Sequence, residues 1–295
     1  MWDLNRLRLL RELQLRGTIA QVAASLDYSP SNVSQQLSQL EREVGAVLLE
    51  QDGRRLRLTA QGELVAAHAE QVLRLQERAR SELGQAGPER LRLATIASAT
   101  RALLPRTLDI IAGGGEGDRP GLRVEIFVVA PEQGLAELEA RRYDMVIAEQ
   151  YPGHVRERRA GIDYQMLGYD PVRVVLPAAA QARSLAELRD ADWVLEPPGT
   201  AARHWTVQQC RAAGFEPDVR YEATDLDTHI ALIASGRAAG FLPDLIWSGY
   251  EPPVRLLDLP QPRERELFTA VRASAATLGA IKTLRAALAV AFVPR

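Results

Sequence analysis

The dipeptide Ser29-Pro30 constrains the first part of this 295-residue chain more than any other feature. A serine hydroxyl can cap the first amide groups of a helix, and proline at the next position has the fixed backbone angle that a first helical turn needs. The pair therefore predicts a helix that begins at Pro30. Its apolar residues recur every three or four positions up to Val44, so one face must pack against other elements.

Two shorter helices are predicted before this one. Leucines recur on one face between Asp3 and Leu15, Gly17 ends that helix, and Thr18 can cap a second helix that reaches Leu26. A short helix, a tight turn and another helix form the layout of a helix-turn-helix, whose second member enters the major groove of DNA. The third helix of this chain is therefore the candidate reading helix.

The amino-terminal half of the third helix has side chains that can read bases. Its first two turns lack acidic residues, and Asn and Gln can bond adenine through two hydrogen bonds, while Ser can reach bases or phosphates. A solvated polar face is the alternative explanation of the same residues, and capping alone can account for the first serine. The residues predicted to contact DNA are Ser29, Ser31, Asn32, Ser34, Gln35 and Gln36.

A tight hairpin is predicted after the third helix. Residues 47–50 and 56–58 are candidate strands around Asp52-Gly53, a dipeptide that favours such turns. Arg54 and Arg55 at the tip are predicted to contact phosphates or the minor groove, although paired arginines on a hairpin also serve solubility alone. The first 58 residues contain eight arginines against seven carboxylates, so local placement and not bulk charge supports DNA binding.

A long helix is predicted from Thr59 to about Leu83. At about 1.5 Å per residue it spans roughly 37 Å, comparable with the approximately 34 Å between half-sites one DNA turn apart. This length indicates a strut that pairs two chains, and Gly84, Gly87 and Pro88 end it at a domain boundary. The seam of the pairing face is predicted at Val65, His68, Val72, Leu75 and Ala79.

The remainder of the chain alternates strands with helices, among them strands at 91–97 and 172–176 and a helix from Thr100. This is the pattern of an α/β fold that binds ligands beyond the carboxyl ends of its strands. Two helix starts, one near residue 98 and one near residue 200, are natural anion sites and suggest a carboxylate or similar effector. Simple capping explains them equally well, and an apolar strand end is core by default. The candidate effector-binding residues are Ser98, Ala99, Thr100, Gly199, Thr200, Phe241 and Pro243.

The sequence contains no pattern that indicates catalysis. Cys210 is the only cysteine, and the four histidines show no metal-ligand spacing. No hydrolase nucleophile elbow, phosphate-binding loop or dinucleotide fingerprint is present. We therefore predict no catalytic residue, metal or other cofactor. Because no apolar run reaches the roughly 18 residues needed to cross a bilayer, we also predict a soluble cytoplasmic protein without a membrane partner.

Several stretches of the first 65 residues together form a recognisable pattern, namely Leu4-Asn5-Arg6-Leu7, Val22-Ala23-Ala24-Ser25-Leu26, Tyr28-Ser29-Pro30-Ser31-Asn32-Val33-Ser34-Gln35-Gln36-Leu37, Leu40-Glu41 with Gly45, Leu48-Leu49-Glu50, and Arg54-Arg55-Leu56-Arg57-Leu58-Thr59-Ala60-Gln61-Gly62. In these stretches the chain resembles the LysR family of transcriptional regulators. Gln35 stands where many members have arginine, which puts one backbone contact or base preference in doubt, and Thr18-Ile19 replaces the commoner Ser-Phe. The second half is similar to the family's effector domain at Ile233-Ala234-Ser235-Gly236 and Gly240-Phe241-Leu242-Pro243.

The resemblance implies an N-terminal winged helix-turn-helix, a linker helix and a periplasmic-binding-protein-like α/β domain of two subdomains. Two hinge strands, near 161–167 and 265–270, would connect the subdomains. The implied domains are a DNA-binding domain at 1–58, a linker and dimerisation helix at 59–87, and an effector-binding domain at 88–295, with subdomain I at about 90–164 plus 267–295 and subdomain II at about 165–266.

The function that the resemblance implies is effector-dependent control of transcription. A homodimer or homotetramer would bind a palindromic operator in double-stranded DNA, and a small molecule between the two subdomains would modulate that binding. RNA polymerase is a further candidate partner. Two alternatives stay open at this stage, namely an α/β enzyme with an appended DNA-binding segment and a DNA-binding protein that responds to no ligand.

Overall fold

The computed structural model describes residues 2–26, 28–52, 55–82, 90–113, 121–154, 156, 158–259 and 263–292. The chain divides into two compact units, Met1–Ala86 and Gly87–Arg295. Within the described ranges, no helix combines the length and the apolar character needed to cross a membrane.

The first unit is helical with one hairpin, and its element bounds agree with the sequence predictions to within about two residues. The predicted Asp27-Tyr28 turn falls partly outside the described residues, as does the tip of the hairpin at Gly53. The elements are α1 (Leu4–Arg16), α2 (Ile19–Leu26), α3 (Pro30–Val44), β1 (Leu49–Asp52), β2 (Arg55–Leu58) and α4 (Ala60–Glu82).

Local signals in the sequence begin and end these helices. The Ser29 hydroxyl accepts a hydrogen bond from the Asn32 amide at 3.2 Å, and Pro30 occupies the first turn of α3, as predicted. Gly17 and Gly45 end α1 and α3 with φ values of 78° and 74°, a left-handed conformation that glycine adopts without strain.

Leucines from α1 and α3 form the core of the first unit. Leu10, Leu37 and Leu40 are fully or almost fully buried, and α4 covers them with a face that includes Val65. The prediction that Val65 belongs to the pairing seam is therefore wrong, because Val65 packs into the core of its own unit, where α4 covers α1. Among the large apolar side chains described on α4, those that stay exposed are Leu64, Val72 and Leu75.

The start of α4 is fixed tightly against the hairpin. The Thr59 hydroxyl accepts from the Gly62 amide at 3.0 Å and donates to the carbonyl of Val47 at 2.8 Å. A Cβ at Gly62 would lie 2.1 Å from the carbonyl oxygen of Leu48, so only glycine fits this close approach. This contact connects the wing rigidly to the helices behind it.

The second unit is α/β, as predicted. Its elements are β3 (Arg90–Thr95), α5 (Ala97–Gly113), β4 (Arg123–Val128), α6 (Pro131–Glu139), β5 (Met145–Gln150), β6 (Ile162–Leu176), β7 (Asp192–Leu195), α7 (Ala201–Ala212), β8 (Asp218–Glu222), α8 (Leu226–Ala234), β9 (Gly240–Pro243), β10 (Arg255–Leu257), β11 (Glu264–Arg272) and α9 (Gly279–Ala291). Short 3-10 turns lie at Leu185–Leu188 and Asp244–Trp247.

Strand β6 belongs to both halves of this unit. Its first part pairs antiparallel with β11, and its last part pairs antiparallel with β9 and β10. Parallel strands β4, β3 and β5 continue the sheet beyond β11, while β7 and β8 form a parallel pair joined to β9 by a bridge from Trp193 to Ala239. Strand β6 therefore connects the two halves, and the chain returns to the larger sheet through β11. The predicted hinges near 161–167 and 265–270 fall on these two strands, and the domain and subdomain bounds stay a prediction.

Three features of the second unit differ from the sequence predictions. Strand β6 is continuous, although its two ends were predicted as separate strands, because β11 and then β9 pair along its whole length. Helix α5 begins at Ala97 and not at Thr100. Strand β10 and helix α9 were not predicted; α9 packs on α5 through Ile281, Leu284 and Leu288 in the largest apolar cluster of the described residues.

Candidate DNA-binding face and ligand cavity

The amino-terminal half of α3 presents a polar surface without acidic residues. Ser31, Asn32, Ser34 and Gln35 are exposed, while Val33 and Leu37 between them are buried in the leucine core. The Ser29 hydroxyl lies 3.0 Å from the hydroxyl of Ser31 and is also committed to capping. The core therefore fixes α3 so that its hydrogen-bonding side chains point into solvent, the arrangement that major-groove readout requires.

Gln36 differs from the other predicted contact residues because it is half-buried. Its Oε1 accepts a hydrogen bond from Arg6 Nε at 2.8 Å, and Arg6 also forms an ion pair with Glu43. Gln36 consequently retains its NH2 group as a donor. Sequence periodicity gave no sign of this contact between α1 and α3.

The wing is anchored by a carboxylate that the sequence prediction missed. Oε1 of Glu41 accepts hydrogen bonds from the backbone amides of Leu48 and Leu49, at 2.8 and 3.1 Å. Arg54, predicted to contact DNA, lies outside the described residues, as does the side chain of Arg55 at the start of β2. Their contacts with DNA stay a prediction.

A narrow cavity lies beyond the carboxyl end of β7 in the second unit. Its volume of about 20 Å³ is enough for roughly one water-sized group. Glu196, the first residue after β7, lines it together with His229 of α8 and Arg265 of β11. The predicted residues Phe241 and Pro243 line it as well.

Arg265 organises a buried cluster of charges beside this cavity. Its Nε and Nη2 donate to Oδ2 of Asp170 at 2.9 and 2.7 Å, its Nη1 donates to Glu149, and its Nη2 also donates to the Ser98 hydroxyl at 2.6 Å. Arg265 and Asp170 are each 2% exposed. Although burial opposes a charged guanidinium, Glu149 and Asp170 raise the pKa of Arg265 above its ordinary value, so it stays protonated.

Three other ionisable groups at the cavity have shifted pKa values. Burial, and then the negative charge of Glu149, raise the pKa of Glu196 to about 7. Burial and the same carboxylate raise the pKa of Tyr151 well above its usual value, and burial lowers the pKa of His229. At neutral pH, Tyr151 and His229 are therefore uncharged and Glu196 is near its midpoint of ionisation.

The residues predicted at the two helix starts are engaged in local contacts. The Ser98 hydroxyl accepts from Arg265, and the Thr100 hydroxyl donates to the carbonyl of Ile96 at 2.9 Å. Thr200 caps α7 by accepting from the Arg203 amide at 3.3 Å. Ala99 is fully buried and Gly199 is exposed. Their role in effector binding stays a prediction.

The polar residues that dominate the cavity were missed because they are far apart in sequence. Arg265 meets Ser98, Glu149 and Asp170 across separations of 167, 116 and 95 residues. The available signal was a charged residue in each of the two long strands, since Asp170 faces Arg265 in the register of β6 and β11, although Asp170 lies beyond the hinge predicted near 161–167. A buried strand with a charge at its start needs an opposite charge nearby.

The described residues contain no group of three or more His, Cys, Asp or Glu that could hold a metal ion. Cys210 is fully buried, and burial raises the pKa of its thiol to about 12. A thiol with this pKa forms almost no thiolate at neutral pH and is a poor nucleophile.

Two family models match the chain along most of its length. Residues 4–63 match the bacterial regulatory helix-turn-helix protein model of the lysR family, and residues 84–292 match the LysR substrate binding domain. The chain belongs to the LysR family of DNA-binding transcriptional regulators with an effector-binding domain, as the resemblance in its first 65 residues implied.

Similar proteins are transcriptional regulators. The malonate utilization transcriptional regulator of Klebsiella pneumoniae is 28% identical over 87% of this chain and 84% of its own length. A hydrogen peroxide-inducible genes activator of Dickeya chrysanthemi is 27% identical over 76% of this chain and 73% of its own length.

Solved structures support the same fold. Full-length OxyR from Pseudomonas aeruginosa, in a variant form, matches 98% of this chain and 95% of its own with a TM-score of 0.67 and 21% identity. Full-length CbnR in complex with its target DNA matches 98% of this chain and all of its own, with a TM-score of 0.55 and 19% identity.

Proposed function

We propose that α3 reads a palindromic operator and that a small molecule bound beside Arg265, between the two α/β subdomains, modulates operator binding. The observation that carries the first part is the exposed, acid-free face of α3, where Asn32 and Gln35 project from a helix whose other face is buried leucine. Amide side chains in this position can each make two hydrogen bonds to adenine.

Pairing of two chains through α4 supports the palindromic form of the operator. The helix has 23 residues, or about 34 Å at 1.5 Å per residue, and Leu64, Val72 and Leu75 leave an apolar surface exposed along it. Two copies related by a twofold axis would place two α3 helices on inverted half-sites. We propose a homodimer or homotetramer on this basis; RNA polymerase is a further candidate partner.

We further propose that the second unit binds its ligand without catalysing a reaction. Arg265, the buried cation at the cavity, is bonded to Asp170 and Glu149, and the sole thiol of the chain is buried elsewhere. The two halves are joined through β6 and β11, so a ligand bound between the halves can change how they pack against each other.

The test is selection of bound duplexes from a randomised DNA library. We expect wild-type protein to enrich an inverted repeat, and an Asn32→Ala/Gln35→Ala double variant to lose that enrichment. Ser38→Ala is the matched control, because Ser38 is exposed on the same helix one turn beyond the reading half. Failure of the wild type to enrich any sequence, or enrichment of the same repeat by the double variant, would contradict the proposal.

A further inference from the structure

The cavity beside Arg265 is rich in groups that accept hydrogen bonds. His229 is 3% exposed and lines the cavity, and its Nε2 lies 2.9 Å from the carbonyl oxygen of Ala223. A carbonyl can only accept, so Nε2 bears the proton and Nδ1 of the neutral ring is an acceptor. Nδ1 has no hydrogen-bond partner among the described residues.

The cations at the cavity are already paired. All three guanidinium nitrogens of Arg265 donate to Asp170, Glu149 or Ser98. Arg203 donates through Nη1 to the carboxylate of Glu222 at 2.8 Å and to the backbone carbonyl of Glu196 at 2.9 Å. The carboxylate of Glu196 receives neither guanidinium in these contacts; the side chain that hydrogen-bonds to it is that of Thr200.

Charge near the cavity is therefore unbalanced toward the negative side. Arg203 pairs with Glu222, so Arg265 alone faces the three carboxylates of Glu149, Asp170 and Glu196. Like-charge repulsion from Glu149 contributes to the raised pKa of Glu196. A cation placed against Glu196 would remove this cost.

We propose that the effector carries a protonated amine or amidine that donates hydrogen bonds to the carboxylate of Glu196 and to Nδ1 of His229. The inference rests on the proposed role of this cleft as the effector site and specifies its chemistry. A single ammonium head is the size of group that the cavity of about 20 Å³ admits. A cationic effector is the opposite of the carboxylate that the two helix starts suggested. At one of those starts, Ser98 already accepts a hydrogen bond from the cation Arg265.

Binding of such a cation depends on ionisation of Glu196. Its pKa of about 7 means that protonation below this pH removes the negative charge that the amine needs. Charged and titratable groups that influence or flank Glu196 are Glu132, Glu149, Tyr151, Arg203, His229 and Arg265, from α6, the end of β5, α7, α8 and β11.

The experiment uses the full-length protein without DNA, at about pH 8, above the pKa of Glu196. Methylammonium chloride is the probe, and sodium chloride and sodium acetate at equal ionic strength are the comparisons. At about ten times its Kd, methylammonium is expected to raise the Tm of the second unit by about 3–6 °C more than the sodium salts do. The added stability should disappear in Glu196→Gln, which keeps the shape of the side chain.

Glu222→Gln is the matched control, because the carboxylate of Glu222 pairs with Arg203 and does not line the cavity. It should retain the methylammonium effect. Equal Tm values in methylammonium and sodium salts, or a methylammonium effect that survives in Glu196→Gln, would overturn the inference. A rise caused by acetate alone would overturn the cationic assignment and leave effector binding in this cleft intact. Operator binding is not involved in the assay, so its failure would be seen separately in the library selection.

Discussion

The two units of the chain use charge in opposite ways. In the first unit the core is leucine, and the polar side chains that are proposed to act, such as Asn32 and Gln35, lie on the surface. In the second unit Arg265, Asp170 and Glu149 are buried at the site itself. In the first unit, different side chains therefore provide the stability and the candidate function. In the second unit, the same side chains contribute to both.

The largest loss of stability expected from this comparison of the two units is at Arg265. Arg265→Met should destabilise the second unit by about 3–5 kcal/mol, because it leaves the buried carboxylates of Asp170 and Glu149 without their cation. Urea unfolding followed by tryptophan fluorescence measures this effect, since three of the four tryptophans, Trp193, Trp205 and Trp247, belong to the second unit, and Trp2 of the first unit is already exposed.

The control for this prediction is a pair at the surface. Arg211 and Glu216 form an ion pair at 2.5 Å with side chains that are 53% and 65% exposed. Arg211→Gln should therefore change stability by about 1 kcal/mol or less. Similar losses in the two variants would contradict a special role for the buried cluster.

A core substitution tests whether the two units are independent. Leu40→Ala removes a fully buried side chain from the leucine core and should cost about 2–5 kcal/mol in the first unit. Circular dichroism should show helix lost at a lower urea concentration than in wild type. The fluorescence of the buried tryptophans should change at the same urea concentration as in wild type. Val47→Ala, at a side chain that is 65% exposed, should stay within about 0.5 kcal/mol of wild type. Simultaneous early unfolding of both units would refute this separation.

The pH dependence of stability should reveal the cost of Glu196. Its folded pKa of about 7 exceeds the ordinary value of 4.5, so the native state binds the proton more tightly and this group lowers stability as the pH rises from about 4.5 to 7. Glu196→Gln removes this cost. The variant should gain up to about 3 kcal/mol over wild type above pH 7 and little below pH 4.5.

Glu222→Gln is the reference for this pH series because its carboxylate is 48% exposed. It should show no comparable gain at high pH. A gain in Glu196→Gln of equal size at every pH would mean that packing, and not ionisation, sets the energy of this position.

The smallest effects concern helix caps, which the two units share. Ser29→Ala and Thr200→Ala should each cost about 1 kcal/mol, and Ser29→Asn should retain the stability because asparagine caps as well. Operator affinity separates capping from DNA contact at Ser29. If the Ser29 hydroxyl contacts phosphate, Ser29→Asn weakens binding without loss of stability; unchanged affinity would restrict this residue to capping.

Sequence reasoning succeeded where the determinants are local. Ser29, Pro30 and Gly45 mark the ends of α3, and the spacing of its leucines identifies the buried face, so the candidate reading surface follows from one continuous segment. The contact from Arg6 to Gln36 could not be predicted in this way, because it depends on how α1 crosses α3.

The candidate ligand cavity was far less predictable. Phe241 and Pro243 line the cavity and were singled out from the sequence because they belong to a short apolar strand. Arg265, Glu149 and Glu196 meet only through the register of β5 and β11 and the position of β7, none of which a single sequence specifies. Ser98 was predicted at a helix start as an effector contact, which stays a prediction, and nothing in the sequence indicated that an arginine of the same chain would donate to its hydroxyl.

The most direct test of the account is the specificity ratio of operator binding across salt concentrations. Wild-type protein should bind a selected inverted repeat at least about 1,000-fold more tightly than a scrambled duplex. The Asn32→Ala/Gln35→Ala variant should lose about 1–3 kcal/mol per removed base contact while its salt dependence stays nearly the same, because phosphate contacts are unaffected. A variant that keeps the wild-type ratio would show that α3 does not read the operator through these residues.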